Sequence, residues 1–251
     1  MNVTRKISNF VTHKSRNSLK VVPFFFTFAN ALLGMFALMK ALDDQFIVAV
    51  YCILLAAFMD GLDGRIARLF GVTSCIGGEL DSLCDAISFC LAPAILIYSW
   101  GVQDFGIVGL AVVGLYLCAG LFRLARFNVF HKENESFMGL PTPMAAFFLL
   151  SFVLYRDWFE AHSAYFIFNK NFFSLVILFV AFLMVSTIKF PSFKYKESKV
   201  AKLWLISIFL FTGICVIEKY PVMFLLPLLY IFSGLFYQSY LQFKKLLIHC
   251  D

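Results

Sequence analysis

The chain has 251 residues, of which 61% are hydrophobic and 14% are charged, with 33 phenylalanines and a formal net charge of +6. A soluble domain is nearer half apolar and a quarter charged, so this composition excludes an ordinary soluble domain and indicates a polytopic membrane protein. The basic residues flank the apolar segments and form no separate stripe, so we expect no nucleic-acid partner and a surface that faces anionic lipid.

Apolar segments long enough to cross a membrane recur along the chain. A spanning helix needs about 20 mostly apolar residues. We predict helices over eight segments: 21–42, 46–69, 78–99, 105–128, 140–155, 171–189, 201–217 and 221–241. The predicted fold class is therefore all-α, with about eight transmembrane helices. Because the fifth segment is short and only a tight turn separates the last two, six or seven spans remain the alternative.

The positions of the basic residues give this topology a direction. If both chain ends lie inside, 17 of the 21 Lys and Arg residues fall in inner segments, and an excess of Lys and Arg marks cytoplasmic loops. Residues 1–20 then form a basic cytoplasmic segment, either an interfacial helix or a disordered tail, and residues 242–251 form a short cytoplasmic tail.

Four aspartates stand inside otherwise apolar sequence. Carboxylates in membrane segments are costly and usually functional. At about 100° per residue, Asp60 and Asp63 fall on one side of the second helix, and Asp81 and Asp85 fall within about 80° of each other on the third. Hard cations such as Mg²⁺ are commonly held by carboxylates together with substrate phosphates. The spacing predicts a divalent-metal site for phosphate chemistry at the cytoplasmic ends of these two helices.

Small residues accompany the carboxylates. Gly64, Ala67 and Gly77 leave room either for a ligand or for a closely packed helix, and a plain helix-packing seam is the structural alternative. Arg68, taken alone, is also compatible with a side chain that reaches the membrane interface.

Together these residues form one motif: Asp60-x2-Asp63-Gly64-x2-Ala67-Arg68-x8-Gly77-x3-Asp81-x3-Asp85. The motif resembles, at every position, the signature of the CDP-alcohol phosphatidyltransferases. Those integral-membrane enzymes move a phosphatidyl group from CDP-diacylglycerol to an alcohol and release CMP. The resemblance implies their fold, with 21–241 as a transmembrane catalytic domain.

The resemblance also implies roles for individual residues. The implied metal ligands are Asp60, Asp63, Asp81 and Asp85. Asp85 is, in addition, the implied proton acceptor for the incoming hydroxyl. Contacts to the nucleotide and its diphosphate are implied for Gly64, Ala67, Arg68, Ser74, Gly77 and, on the first helix, Asn30. The implied cofactor is Mg²⁺ or Mn²⁺, as one ion or two.

Further stretches resemble the phosphatidylserine synthase branch of the family. They are Thr27-x2-Asn30-x3-Gly34, Leu80 to Phe89, Arg123-Leu124-Ala125-Arg126-Phe127-Asn128 and Phe137 to Ala146. The resemblance covers residues 21–146. Two departures are Cys90, where the branch commonly has glycine, and Phe24-Phe25-Phe26, which replaces a more polar Pro-Asn entry.

The branch implies an acceptor site that binds serine. Arg123 and Arg126 are three residues apart and share a helix face, and a guanidinium suits carboxylate and phosphate. One of the two would hold the serine carboxylate and the other a lipid phosphate, with Asn128 as a weaker contact. The alternative is that both arginines only mark the cytoplasmic boundary.

The expected reaction is phosphatidyl transfer from CDP-diacylglycerol to L-serine, in a homodimer embedded in lipid, within a bacterial inner membrane and with the site facing the cytoplasm. The alternatives are the same reaction on glycerol 3-phosphate or an inositol phosphate, and an ion-coupled transporter that uses the aspartates as a cation site.

Overall fold

The computed structural model describes residues 21–71, 74–130, 138–156, 170–188, 225 and 227–234. Regular structure in this part of the chain is helical, apart from one isolated bridge residue, Met138. The α-helices are α1 (Val21–Leu42), α2 (Phe46–Phe70), α3 (Cys75–Asp85), α4 (Ala92–Ile97), α5 (Ile107–Phe130), α6 (Thr142–Leu154) and α7 (Lys170–Val185). Residues 227–234 are helical as well. The all-α prediction is confirmed.

Helices α3 and α4 belong to one continuous rod over residues 75–105. Two π-helical segments, Ala86–Leu91 and Tyr98–Val102, and a short 3₁₀ turn complete it. The first π segment follows Asp85 directly. π-Helical segments are rare in proteins, and those that occur often lie at functional sites. The hydroxyl of Tyr116 on α5 donates to the carbonyl of Phe89 in this segment at 2.9 Å.

The rod is longer at both ends than the predicted span of 78–99. It begins at the residue after Ser74, whose side chain accepts a hydrogen bond from the backbone N–H of Gly77 at 3.0 Å. Serine is among the best residues for this capping position. The rod ends before Gly106, which has φ +54°. Glycine adopts that left-handed conformation readily and often terminates helices.

Four of the described helical rods are long and apolar enough to cross a membrane. They cover Pro23–Leu42, Phe46–Ala67, Ile76–Phe105 and Ile107–Val129, while α6 and α7 are apolar but shorter. Many large apolar side chains on these rods are exposed, as expected of surfaces that face lipid; examples are Phe25, Leu32, Met39, Leu110, Leu115 and Leu175. The protein is therefore an integral membrane protein.

Several predicted segments fall outside the described residues. They are 1–20, 201–217, 242–251 and all of 221–241 except 225 and 227–234. The count of eight spans accordingly stays a prediction.

If the rod that contains α3 and α4 is taken as one element, successive helices run in opposite directions. One end of the bundle therefore brings together the start of one helix and the end of the next. Helix α1 begins where α2 ends, and the Thr27 hydroxyl donates to Asp63 there. Helix α5 ends beside the start of α3, where Asn128 donates to Glu79. Helix α6 begins and α7 ends at this same end. The carboxylates and both arginines of α5 are thus brought to one end of the bundle.

The packing leaves α1 in close contact with the rod. A Cβ atom added to Gly34 of α1 would lie 2.9 Å from the Cα of Ser88, which is closer than side chains approach, so only glycine fits. The crossing brings the first turns of α1 against the half of the rod that carries Asp81 and Asp85.

Candidate metal and nucleotide site

Three carboxylates from two helices converge at this end of the bundle. Asp60 and Asp63 of α2 and Asp81 of α3 each offer an oxygen, and these oxygens lie within 4.8 Å of one another. Asp63 is buried, with 5% of its surface exposed. Two negative charges about 5 Å apart repel by roughly 3 kcal/mol at an effective dielectric constant of about 20. A bound cation would remove this repulsion.

The oxygens of this cluster fit a hard divalent cation. Oδ1 of Asp81 is buried and has no hydrogen-bond partner among the described residues. A buried acceptor left without a donor costs about 1–3 kcal/mol, and more when it is charged. Because Mg²⁺ and Mn²⁺ prefer oxygen ligands, a cation held by Asp60, Asp63 and Asp81 would satisfy the unpartnered oxygen.

Asp85 stands one helical turn beyond Asp81. The carboxyl of Asp60 lies close enough to those of Asp81 and Asp85 to interact with them electrostatically. The fourth carboxylate therefore borders the cluster of three without belonging to its closest set of oxygens. Asp85 is not among the residues that line the cleft beside this cluster, so its role toward a substrate stays a prediction.

Helix α1 supplies no carboxylate but hydrogen-bonds two of the four. Thr27 Oγ1 donates to Asp63 Oδ2 at 2.8 Å, and Asn30 Nδ2 donates to Asp85 Oδ1 at 3.3 Å. Ser88 Oγ in turn donates to the backbone carbonyl of Asn30 at 2.9 Å, which fixes α1 against the rod. Such supporting hydrogen bonds orient metal ligands, and losing one typically costs about 10- to 100-fold in metal affinity or activity.

A cleft of about 210 Å³ opens beside the carboxylates. Its walls come from the first turns of α1, the end of α2 and the start of α3, and they comprise Pro23, Phe24, Thr27, Asp63, Gly64, Ala67, Ser74, Gly77, Gly78 and Asp81. Among the described residues, and leaving aside the backbone of its own helix, no atom would lie within 4 Å of a Cβ added to Gly64. Packing within this part of the chain therefore does not require glycine at this position, whereas a ligand that approaches the backbone would.

A family model for CDP-alcohol phosphatidyltransferases matches residues 20–186, which include all of this site. This chain belongs to the CDP-alcohol phosphatidyltransferase family. The match confirms the resemblance drawn from the aspartate motif. It ends at Ser186, at the close of α7.

Named relatives resemble this phosphatidyltransferase over most of its length. The CDP-diacylglycerol–serine O-phosphatidyltransferase of Helicobacter pylori is 37% identical over 199 residues, which are 77% of this chain and 81% of the relative. The enzyme of that name from Bacillus subtilis is 31% identical over 178 residues, 70% of this chain and 93% of the relative. The archaetidylserine synthase of Methanothermobacter thermautotrophicus is 36% identical over 180 residues, 71% of this chain and 72% of the relative. All three names specify serine.

Five of the six predicted nucleotide contacts lie at two places in this phosphatidyltransferase. Four of them, Gly64, Ala67, Ser74 and Gly77, line the cleft. Asn30 does not line the cleft. It is fully buried and hydrogen-bonds the Asp85 carboxylate. Arg68 lies on α2 beyond Gly64. The binding roles of all six residues stay predictions.

The two predicted acceptor arginines have different surroundings. The Arg126 guanidinium donates to backbone carbonyls of the 138–141 turn and of the end of α7; its acceptors are Met138, Met184, Val185 and Ser186. Arginine near a helix C-terminus satisfies carbonyls that lack intrahelical partners. Arg123 is buried, its Nη1 donates to Thr142 Oγ1 at 3.1 Å, and its Nε has no partner among the described residues.

Asn128 joins α5 to α3. Its Oδ1 accepts from the Ser82 hydroxyl at 2.8 Å, and its Nδ2 donates to Glu79 at 3.0 Å. Both functions of the amide are thus engaged with the protein. The arrangement ties α3 to α5 through residues beside its carboxylates, and contact between Asn128 and serine stays a prediction.

Several residues of the site were not predicted individually from the sequence. The sequence motif assigns no role to Thr27, and no sequence pattern indicates that Asn128 hydrogen-bonds Ser82 and Glu79. The available signal for Thr27 was its spacing of three residues from Asn30, which places both on one face of α1. Phe24 appeared only as a departure from the family pattern, yet it lines the cleft.

Proposed function

We propose that this protein transfers the phosphatidyl group of CDP-diacylglycerol to L-serine and releases CMP. The observation that carries the proposal is the carboxylate cluster beside an open cleft, in a chain whose relatives are named for serine. Three converging carboxylate oxygens suit a cation that binds a diphosphate. The neighbouring Asp85 supplies a separate carboxylate for proton transfer.

The reaction forms one bond to phosphorus, breaks another and transfers one proton. The serine hydroxyl oxygen attacks the phosphorus that carries diacylglycerol, and the bond from that phosphorus to the bridging oxygen breaks. CMP leaves with the bridging oxygen. The hydroxyl proton passes to the Asp85 carboxylate, which acts as general base. Asn30 donates to Oδ1 of Asp85 and holds this carboxylate in position for proton transfer.

Asp60, Asp63 and Asp81 would hold Mg²⁺ or Mn²⁺, with Asp85 as a further ligand if a second ion binds. The metal, when bound, neutralises charge on the diphosphate and on the departing CMP. The small residues Gly64, Ala67 and Gly77 leave space in the cleft for the diphosphate. Ser74 and Arg68 contact the nucleotide end. Because attack must be in line, much of the rate enhancement comes from holding the two substrates in position.

Arg123 binds the carboxylate of the incoming serine. A buried cation needs an anionic or hydrogen-bonding partner, and its Nε lacks one among the described residues. Arg123 also lies close enough to Asp85 to interact with it electrostatically. Serine carries its hydroxymethyl group and its carboxylate on one carbon atom, so a carboxylate bound here leaves the hydroxyl near the general base. Arg126, which already has several backbone acceptors, holds the turn before α6 in place.

We expect Arg123→Lys to raise the KM for L-serine about 10- to 100-fold, because a hydrogen bond to a charged group contributes about 1.5–3 kcal/mol and lysine lacks the planar fork. The KM for CDP-diacylglycerol should change less than about twofold. Arg65→Lys, at an exposed position of α2, is the matched control. Steady-state CMP release measures both constants; an equal rise in the two would contradict the assignment.

The remaining features of the proposal concern the whole assembly. In this proposal the chain has eight transmembrane helices and both of its ends lie in the cytoplasm. Residues 21–241 form one catalytic domain, which the cytoplasmic segments 1–20 and 242–251 flank. The site opens to the cytoplasmic side of a bacterial inner membrane, and the enzyme is a homodimer. The arginines at the cleft end of the described bundle support this orientation.

The reaction is tested by CMP release from purified protein in detergent with CDP-diacylglycerol and Mg²⁺ or Mn²⁺. We expect release with L-serine and at most background release with glycerol 3-phosphate or an inositol phosphate. Release with one of those acceptors in place of serine would keep the family chemistry and reject the serine assignment. If no acceptor supports release while proteoliposomes show cation flux, the transporter alternative replaces the proposal.

A further inference from the structure

One wall of the cleft differs in chemistry from the rest. Apart from Pro23 and Phe24, the lining side chains are glycine, alanine, serine, threonine or aspartate. Among the described residues that line the cleft, Phe24 therefore has the only aromatic ring, and apart from Pro23 the others are small residues or aspartates. The flat apolar ring contributes nothing to binding a cation or a phosphate, so it points to an apolar, planar part of the ligand.

The position of the ring relative to the carboxylates is fixed by the helix. Phe24 precedes Thr27 by three residues, so the two share a face of α1 and lie about 4.5 Å apart along its axis. Thr27 is bonded to Asp63 at the carboxylate end of the cleft. A Cβ added to Gly77 would lie 3.9 Å from a ring carbon of Phe24. The ring therefore lies over the first turn of α3, about one helical turn from the predicted metal site.

The neighbouring phenylalanine shows that this placement is specific. Phe25 is 69% exposed and its ring makes an edge contact with Phe26, 5.7 Å between centroids. It lies on the outer surface of α1, where any apolar side chain facing lipid would serve. Phe24 is only partly exposed and faces the cleft. Two adjacent phenylalanines thus provide one ring for the cleft and one for the membrane.

We propose that Phe24 stacks on the pyrimidine ring of the nucleotide end of the lipid substrate. The identity of the nucleotide rests on the proposed function, whereas the aromatic wall is a property of this chain, which has Phe24 where the family pattern has a more polar entry. Aromatic side chains bind nucleobases by stacking, because every base presents a flat π face. The diphosphate then extends from the base toward Asp63 and Asp81, along the cleft.

The test measures CMP affinity, because CMP carries the base and a phosphate but no acyl chains. Calorimetric titration of the full-length protein in detergent with CMP and Mn²⁺ is expected to show binding about 5- to 100-fold weaker for Phe24→Leu than for the unmodified protein. Phe24→Tyr keeps the ring and should keep the affinity within about twofold. Phe25→Leu, one residue along the helix, is the matched control and should bind CMP as the unmodified protein does.

Unchanged CMP affinity in Phe24→Leu would overturn the stacking proposal. If the KM of this variant for CDP-diacylglycerol rises while its CMP affinity is unchanged, the ring contacts an acyl chain instead. Failure of the proposed function looks different, because the unmodified protein would then release no CMP from CDP-diacylglycerol with any acceptor. If Phe24→Leu fails to fold, a loss of CMP affinity in Phe24→Tyr would also count against stacking.

Discussion

Asp85→Asn is expected to lower kcat for serine-dependent CMP release by about 100- to 10,000-fold, the range that a positioned general base contributes. Asparagine has nearly the shape of aspartate, and its Oδ1 can still accept the hydrogen bond from Asn30 that is seen at 3.3 Å. It cannot take up the hydroxyl proton. The KM for CDP-diacylglycerol should change little, because the three-carboxylate cluster stays intact.

The control for this variant is a carboxylate at the other end of the bundle. Asp43 lies 3.6 Å from Lys40 and its side chain is largely exposed, so Asp43→Asn should keep full activity. Mn²⁺ titration of Asp85→Asn separates its two predicted roles. An unchanged affinity identifies Asp85 as a base alone, and a lowered affinity identifies it as a ligand as well. Turnover above about a tenth of the original would contradict the role as general base.

Asp81→Asn is expected to abolish both Mn²⁺ binding and CMP release. Oδ1 of Asp81 is buried without a partner among the described residues, so the site depends on a cation to satisfy it. Loss of a supporting hydrogen bond already costs about 10- to 100-fold in metal affinity, and loss of a ligand should cost more. Thermal unfolding reports the effect directly, because a ligand that binds the folded state raises the melting temperature.

We therefore expect Mn²⁺ to raise the melting temperature of the unmodified protein and to leave that of Asp81→Asn unchanged. Without metal, the variant should be at least as stable as the original, since one of three mutually repelling charges is gone. Glu79→Gln is the matched control on the same helix, because Glu79 accepts from Asn128 away from the cluster. A normal Mn²⁺ response in Asp81→Asn would remove Asp81 from the ligand set.

Helix positions followed from the sequence where length and hydropathy decide them. The predicted segments 21–42 and 46–69 match Val21–Leu42 and Phe46–Phe70 within one residue. The third segment was predicted too short, because its ends depend on the cap at Ser74 and on the backbone of Gly106. The π segments within it leave no trace in hydropathy.

The convergence of carboxylates also followed from helical spacing, because Asp60 and Asp63 are three residues apart and Asp81 and Asp85 are four. The hydrogen bonds from Thr27 and Asn30 of α1 to these carboxylates could not be predicted from the sequence, because they depend on how α1 crosses its neighbours. Spacing alone also failed to separate Arg123 from Arg126. Their different surroundings come from partners distant in sequence, Thr142 for Arg123 and the end of α7 for Arg126.

The proposed metal ligands occupy a short and continuous part of the chain. Asp60 and Asp85 lie on consecutive helices, whereas Arg123 and Thr142 come later. Contacts between segments close in sequence lose little loop-closure entropy and form early. We therefore expect the proposed cation site to assemble during synthesis as a helical hairpin, before the helices that carry the proposed serine site are complete. Because the two proposed sites lie on separate helices, we expect mutations in the later helices to alter the alcohol accepted while the cation site stays as it is.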